Sequence, residues 1–397
     1  MNTKVDFRDT ATAFAQKSDC DLKMARLLFR GMGSPTLLNL GKFGAYLSTR
    51  FGLPIGWALR PTLYKHFVTG ETLGDSLPKL RKLYSQGVQG VMDYSAEGGA
   101  NDEDTLDNFL QNMKAVRFAG QHPEVSHAVF KVSGLGMVPA LIKAQERGIE
   151  SLTPSEMHDY DQAKMRFMEL CNEAAKMRIH ILVDAEHYAY QRIIDDWTEE
   201  AIERFNTAED AIVFATLQMY RHDRLPYLRK LYELGKKLGV KVGVKFVRGA
   251  YMEEERARAA EMGYADPICA TKADTDTNYN AALVYTLNHM DVFELFCGTH
   301  NEGSVRLLMN LMEEKGLARD DERIYFAQLY GMSDNLSFNL AKAGYRITKY
   351  CPYAPVNRVL PYLIRRAEEN SSIGGQTGRE LTLIEYELDR RDDEKYE

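Results

Sequence analysis

The amino-acid sequence predicts an α/β chain folded as a TIM-like, distorted (β/α)8 barrel with an N-terminal helical extension, and three observations carry that expectation. Eight short runs rich in β-branched residues recur along the chain. Intervals of helix length separate them, as parallel strands joined by helical crossovers require. Most of the runs end in polar or ionisable groups, on the rim where barrels of this kind build their sites.

Taken in order, residues 8–87 carry apolar positions at three- and four-residue spacing through MARLLFRGM, TLLNLGKFGAYL and SLPKLRKLY, which predicts helices packed on the barrel. After Gly87 the texture changes to strands: GVQGVMD near 87–93, AVFKVSG near 128–134, IHILVDAE near 179–186 and AIVFATLQ near 211–218. Four more follow as KVGVKFVRG near 241–249, VFELFCGTHN near 292–301, RIYFAQLYG near 323–331 and YRITKYCPY near 345–353. Their polar ends are Asp93, Asp184 with Glu186, Gln218, Arg248, His300 with Asn301, and Gln328. The expected organisation is a helical region over 1–87, a catalytic barrel over 88–378 and a charged, solvated tail over 379–397. SGLGMVP at 133–139 has the look of a dinucleotide-binding turn, but Pro139 stands where a third glycine belongs, so a barrel loop is expected.

Composition narrows the function. With 397 residues, 45% hydrophobic and 27% charged, the chain can bury a sizeable core, which excludes pervasive disorder. A net charge of −7 argues against nucleic-acid binding, which favours basic surfaces. The five cysteines are odd in number and lack a CxxC pair, so neither a disulfide framework nor a zinc site is expected, and a reducing, cytoplasmic setting fits. His180, His187 and His300 lack metal-ligand spacing, so no metal is expected. The N-terminus is polar and no apolar run reaches the length of a membrane span, which leaves peripheral contact as the only membrane reading.

The most informative segment is YCPYAPVNRVLPYLIRRAEEN, residues 350–370, in which Tyr362, Arg365, Arg366 and Glu369 fall on one flank of a helix. Adjacent guanidinium forks bind and orient a small carboxylate, and an amino or imino acid is a natural guest. The competing reading is an ordinary helix surface with an Arg365–Glu369 ion pair. In KFVRGAYMEEER, residues 245–256, Gly249 and Ala250 leave room for a flat ring near the backbone, and Tyr251 could cover it.

Through KFVRGAY, the THNE after the sixth run, FAQLYGM after the seventh and KYCPYAPVNRVLPYLIRRAEEN, the chain resembles the proline dehydrogenases, from about Phe67 in HFVTGET to the end of the last motif. The resemblance implies FAD-dependent oxidation of L-proline to 1-pyrroline-5-carboxylate, with hydride passing from C5 to flavin N5. It further implies a quinone acceptor, peripheral contact with the inner face of a membrane, and a pyrroline-5-carboxylate dehydrogenase as a partner for the product. Residue by residue, Arg365 and Arg366 match the positions that hold the carboxylate, Tyr350 and Tyr362 those that pack the ring, and Asp93, Leu329 and Tyr251 further site positions. Gln218, Lys245, Val247, Gly249 and Ala250 match the cofactor-lining strands, and Glu369 lies beside an arginine and the flavin. Ala270, Thr271, Lys272 and Thr275 match a phosphate- and adenine-side loop, while His300 and Asn301 match further flavin contacts. Lys245 stands where some members carry arginine, and Met252 where some carry tryptophan. The family pairs its active-site aspartate with a lysine, for which Lys65 is the candidate. Three alternatives compete: a hydroxyproline dehydrogenase, whose relatives have a small residue at the position of Tyr362, a flavin-free barrel hydrolase, and a non-catalytic barrel binding module.

Overall fold

The computed structural model describes residues 5–33, 56–95, 101–372 and 376–395. The predicted helical stretch TLLNLGKFGAYL lies outside them. Eight strands follow one another in chain order around a closed barrel: β1 (Val88–Tyr94), β2 (Val125–Phe130), β3 (His180–Val183), β4 (Val213–Gln218), β5 (Val242–Val247), β6 (Phe293–Gly298), β7 (Ile324–Leu329) and β8 (Ile347–Tyr353). From β1 to β7 successive strands pair in parallel, with Asp93 beside Val129, Thr216 beside Lys245 and Lys245 beside Phe296. Every residue of β2 and β4 is buried, as expected where helices cover a parallel sheet.

The chain divides into two compact units. The first comprises Gln89–Tyr94 and Gly98–Ala327; the second joins the N-terminal region through Val88 and the short stretch Ser95–Glu97 to the chain from Gln328 onward. In the first, sequence dictates the helix ends plainly. The long helix Pro154–Met177 starts with Thr153 and Glu156 capping each other's backbone N–H groups and with proline in its first turn, and it stops at Arg178 in the left-handed region. Inside the barrel His127 is fully buried, edge-on to Phe214, Phe296 and Tyr325, and burial pushes its pKa far down, so it is neutral. The turn after β2 is a short 3-10 turn at Val132–Gly134, and Pro139 falls in the first turn of the helix Val138–Arg147, where it is tolerated.

In the second unit the helices Asp19–Met32 and Leu73–Tyr84 open with capping boxes at Ser18 and Thr72. Residues Gln376–Asp393, where a solvated tail is expected, form a helix instead. Leu383, Ile384, Glu387 and Leu388 recur on one face and are buried, and Arg391 reaches back to the carbonyl oxygens of Phe14 and Lys17. The charge density of this segment hides an apolar stripe.

Candidate active site

In the first unit the strand ends gather a chain of alternating charges. Lys131, the residue after β2, sets its Nζ 2.8 Å from Asp184 Oδ2 and 3.6 Å from Asp93 Oδ1. Lys245 of β5 reaches the other oxygen of Asp184 at 2.5 Å. Asp93 and Lys245 are 2% and 4% exposed. Two carboxylates and two ammonium groups cancel, which is the condition under which buried charges persist. Burial alone would push the Asp184 carboxyl up, but Lys131 and Lys245 together hold it well below the usual carboxylate range. Asp184 is therefore ionised at neutral pH.

This corrects one expectation. Lys65 pairs with Asp21 at 2.9 Å, both on the surface of the second unit, and the lysine beside Asp93 is Lys131. A strand over 128–134 would place Lys131 in mid-strand; β2 ends at Phe130, so Lys131 stands on the rim. The signal was available in AVFKVSG, where the lysine is the first polar residue after an apolar run, the same rule that picks out Asp93 and Gln218.

Next to this chain, the Gln218 side chain donates to the Glu186 carbonyl oxygen at 2.7 Å. The Glu186 carboxylate accepts the Ser133 N–H at 2.9 Å and the Ser133 hydroxyl, and burial pushes its pKa up. Val247 is half-buried opposite Gln218 across the β4–β5 pair. Beyond β5, Arg248 binds Asp276 at 2.8 Å, the Thr299 hydroxyl at 2.6 Å and the Ser304 hydroxyl at 3.0 Å, tying the turn that carries His300 and Asn301 to the rest of the rim. Asn301 caps the helix Glu302–Glu314 by accepting the Ser304 N–H, and His300 is half-buried.

Gly249 and Ala250 are both exposed. Gly249 has a φ of +133°, and a Cβ added there would lie 2.5 Å from the Tyr220 ring, so its glycine is required by the backbone and by Tyr220. Tyr251 is half-buried and stacks on His187 at 4.2 Å between ring centroids. Ala270, Thr271 and Lys272 lie exposed at the start of the helix Lys272–Asn288. Thr271 forms a capping box with Asp274, Thr275 bonds back to the Thr271 carbonyl at 3.3 Å, and Lys272 pairs with Asp276 at 2.7 Å.

The second unit holds the remaining residues. On the helix Leu360–Ser372, Tyr362 and Arg366 are buried, with the Arg366 guanidinium 5.0 Å from the centre of the Tyr362 ring, and Arg365 is half-buried beside them. Tyr350, in β8, and Leu329, at the end of β7, are half-buried, and the Tyr330 N–H binds the Tyr350 carbonyl oxygen at 2.9 Å. Glu369 belongs to the same helix, but its side chain lies outside the described residues.

Lys131, Lys245 and Gln218 are buried or half-buried donors at or near the ends of three strands, engaged by Asp184 and by the Glu186 carbonyl oxygen, a polar, charge-balanced set of the kind that could meet the heteroatoms of a flat cofactor ring. Three ligand-type groups, His180, Asp210 and Glu294, lie within 4.8 Å of one another near the starts of β3, β4 and β6. They are already partnered within the protein, His180 with Asp210 at 3.3 Å and Glu294 with the Ala211 N–H at 3.0 Å.

Comparison with known proteins gives a consistent result. A family model described as "Proline dehydrogenase" matches residues 76–379. The chain is 33% identical to "Carbapenem antibiotics biosynthesis protein CarD" of Pectobacterium carotovorum subsp. carotovorum, over 81% of this chain and 82% of that one. It is 42% identical to "Proline dehydrogenase 1, mitochondrial" of Homo sapiens, over 61% of this chain but only 41% of the human one. Among solved structures, proline utilization A from Bdellovibrio bacteriovorus, inactivated by N-propargylglycine, superposes with a TM-score of 0.70 at 21% identity, covering 79% of this chain and 33% of that chain. The chain thus spans about a third of that structure and two-fifths of the human relative.

Proposed function

Since the chain belongs to the proline dehydrogenase family, we propose that it oxidises L-proline to 1-pyrroline-5-carboxylate with FAD. The observation that carries this reading is the family match together with the buried charge chain Asp93–Lys131–Asp184–Lys245. When bound, FAD would supply the acceptor, at its N5, for a hydride from proline C5.

The protein's own residues do the rest. Arg365 and Arg366 hold the substrate carboxylate with paired, charge-assisted hydrogen bonds, and Tyr350, Tyr362 and Leu329 pack the ring, so that much of the rate comes from orientation. The two guanidinium groups also favour the neutral amine of bound proline over the ammonium ion, and only the amine has the lone pair that expels hydride. Activity therefore rises with pH through one ionisation that belongs to bound substrate, and a flat profile would sink that step. Gln218, Lys245, Val247, Gly249, Ala250, His300, Asn301 and Glu369 line the flavin, with Ala270, Thr271, Lys272 and Thr275 on the adenine and phosphate side. Tyr251, stacked on His187, covers the ring.

Electrons then pass to a quinone, through peripheral contact with a membrane; among the described residues no helix is long and apolar enough to cross one. A pyrroline-5-carboxylate dehydrogenase would take the product. The test is steady-state oxidation of L-proline and of trans-4-hydroxy-L-proline with a quinone analogue, the product identified by mass. Pyrroline-5-carboxylate formed faster from proline than the hydroxylated product from its analogue supports the reading. The reverse preference moves the assignment to hydroxyproline, against the buried bulk of Tyr362, and no product from either substrate ends it.

A further inference from the structure

The turn after β7, Leu329 to Ser333, carries Leu329 and enters the left-handed region twice, with backbone strain at Ser333. Gly331 has a φ of +83°, and Ser333, two residues on, has a φ of +50° although it has a side chain. A Cβ on Gly331 would lie 2.4 Å from the His66 carbonyl oxygen, so the N-terminal helical region presses against the turn. Such a conformation persists only where its surroundings over-determine it.

The surroundings come from three separate stretches of the second unit. From the N-terminal region, His66 Nε2 lies 2.8 Å from the Gly331 carbonyl oxygen. From β8, Lys349, 1% exposed, donates to the Met332 carbonyl oxygen at 2.5 Å and pairs with Asp334 at 2.8 Å, while Lys17 meets the other oxygen of Asp334 at 2.7 Å. From the C-terminal helix Gln376–Asp393, Glu380 accepts the Ser333 N–H at 2.5 Å across 47 residues of sequence. His66 is half-buried and desolvation pushes its pKa down to about 3, so it binds Gly331 as a neutral donor. The Tyr330 N–H, inside the turn, binds the carbonyl oxygen of Tyr350. Whatever fixes the turn therefore fixes Leu329 and the backbone at Tyr350 together.

We propose that Glu380 is a positioning residue for the substrate pocket: by holding the Ser333 amide it sets the turn that places Leu329 and the backbone at Tyr350 against the substrate ring. The inference rests on the reading of the protein as a proline oxidiser, in which those two residues pack the ring. It gives the C-terminal helix a role in binding that its charged composition does not announce.

The test compares Glu380→Ala, Glu380→Gln and Glu380→Asp with wild type in the full-length holoenzyme, reading amide exchange of residues 329–334 and steady-state kinetics with L-proline. Glutamine keeps an acceptor oxygen at the same reach; alanine removes it and aspartate withdraws it by one methylene. Exchange in the turn should quicken in the alanine and aspartate variants, KM should rise on the order of tenfold with kcat changed about twofold or less, and glutamine should restore both. If the alanine variant does not fold, the aspartate variant carries the test. Glu385→Ala, on the same helix as Glu380, removes an ion pair to Arg30 of the helix Asp19–Met32, leaves KM unchanged and so separates loss of helix docking from loss of the turn. Faster exchange with unaltered KM makes Glu380 structural only, and unaltered exchange removes the proposal outright. A wild type inert towards proline refutes the functional reading instead, so the two failures look different.

Discussion

Replacing Lys131 by methionine keeps side-chain length and removes the charge shared by Asp93 and Asp184. Asp184 keeps Lys245 at 2.5 Å but loses its second ammonium partner, and Asp93, 2% exposed, loses the ammonium at 3.6 Å. Removing one member of a buried pair costs ~3–5 kcal/mol. Lys131 keeps 20% of its side chain in solvent and lies 3.6 Å from Asp93, which lowers the expected loss to ~2–3 kcal/mol near neutral pH. The pH dependence has a definite sign. In the wild type Asp184 titrates below its unfolded value, so its contribution is complete above the unfolded pKa of about 3.9 and lost only as pH falls through the lower folded value. Lys131 is one of the two cations that hold Asp184 down, so the variant loses part of that contribution, and the gap between the two proteins is full above about 3.9 and shrinks as pH falls below it. Urea unfolding of both proteins at about pH 7 and about pH 3 should show the larger gap at the higher pH. A gap that is equal at the two values, or below ~0.5 kcal/mol at the higher one, would refute the reasoning that Lys131 neutralises this chain.

Three further outcomes follow from the geometry. Gly249→Ala should lower stability by ~2 kcal/mol or more in thermal unfolding, because a φ of +133° disfavours any side chain and its Cβ would meet the Tyr220 ring; a neutral result would contradict the required glycine. Thr271→Ala removes the capping box at Lys272–Asn288 and should cost ~1 kcal/mol of unfolding free energy, whereas Thr271→Ser should cost only a few tenths. Arg366→Lys retains the charge but not the planar fork, so kcat/KM for L-proline should fall ~10-fold or more, and a variant as active as wild type would remove Arg366 from carboxylate binding.

The barrel was legible because parallel strands buried on both faces read as continuous apolar runs, and all eight fall within a few residues of their expected places. The largest shift, at β2, had a local cause: KVSG continues the β-branched texture, while the chain has already turned into a 3-10 turn at Val132. That small shift concealed Lys131, because a residue's role on the rim depends on which side of the strand end it falls. Pairings across long sequence separations were not legible at all. Nothing in GRELTLIEYELDRR shows that Glu380 meets Ser333 or that Arg391 meets Phe14, since composition records charge but not the distant backbone that satisfies it. Gly249 was legible as a glycine that something approaches closely, yet only the fold identifies Tyr220 as its neighbour.

The proposed reaction passes electrons from proline to a bound flavin. An anaerobic visible spectrum of the FAD-loaded protein, before and after one addition of L-proline, tests it most directly. Bleaching of the oxidised flavin band by L-proline, and much weaker bleaching by trans-4-hydroxy-L-proline, is expected of a proline oxidiser. A flavin band that stays unchanged with L-proline, or a protein that takes up no FAD, would contradict it.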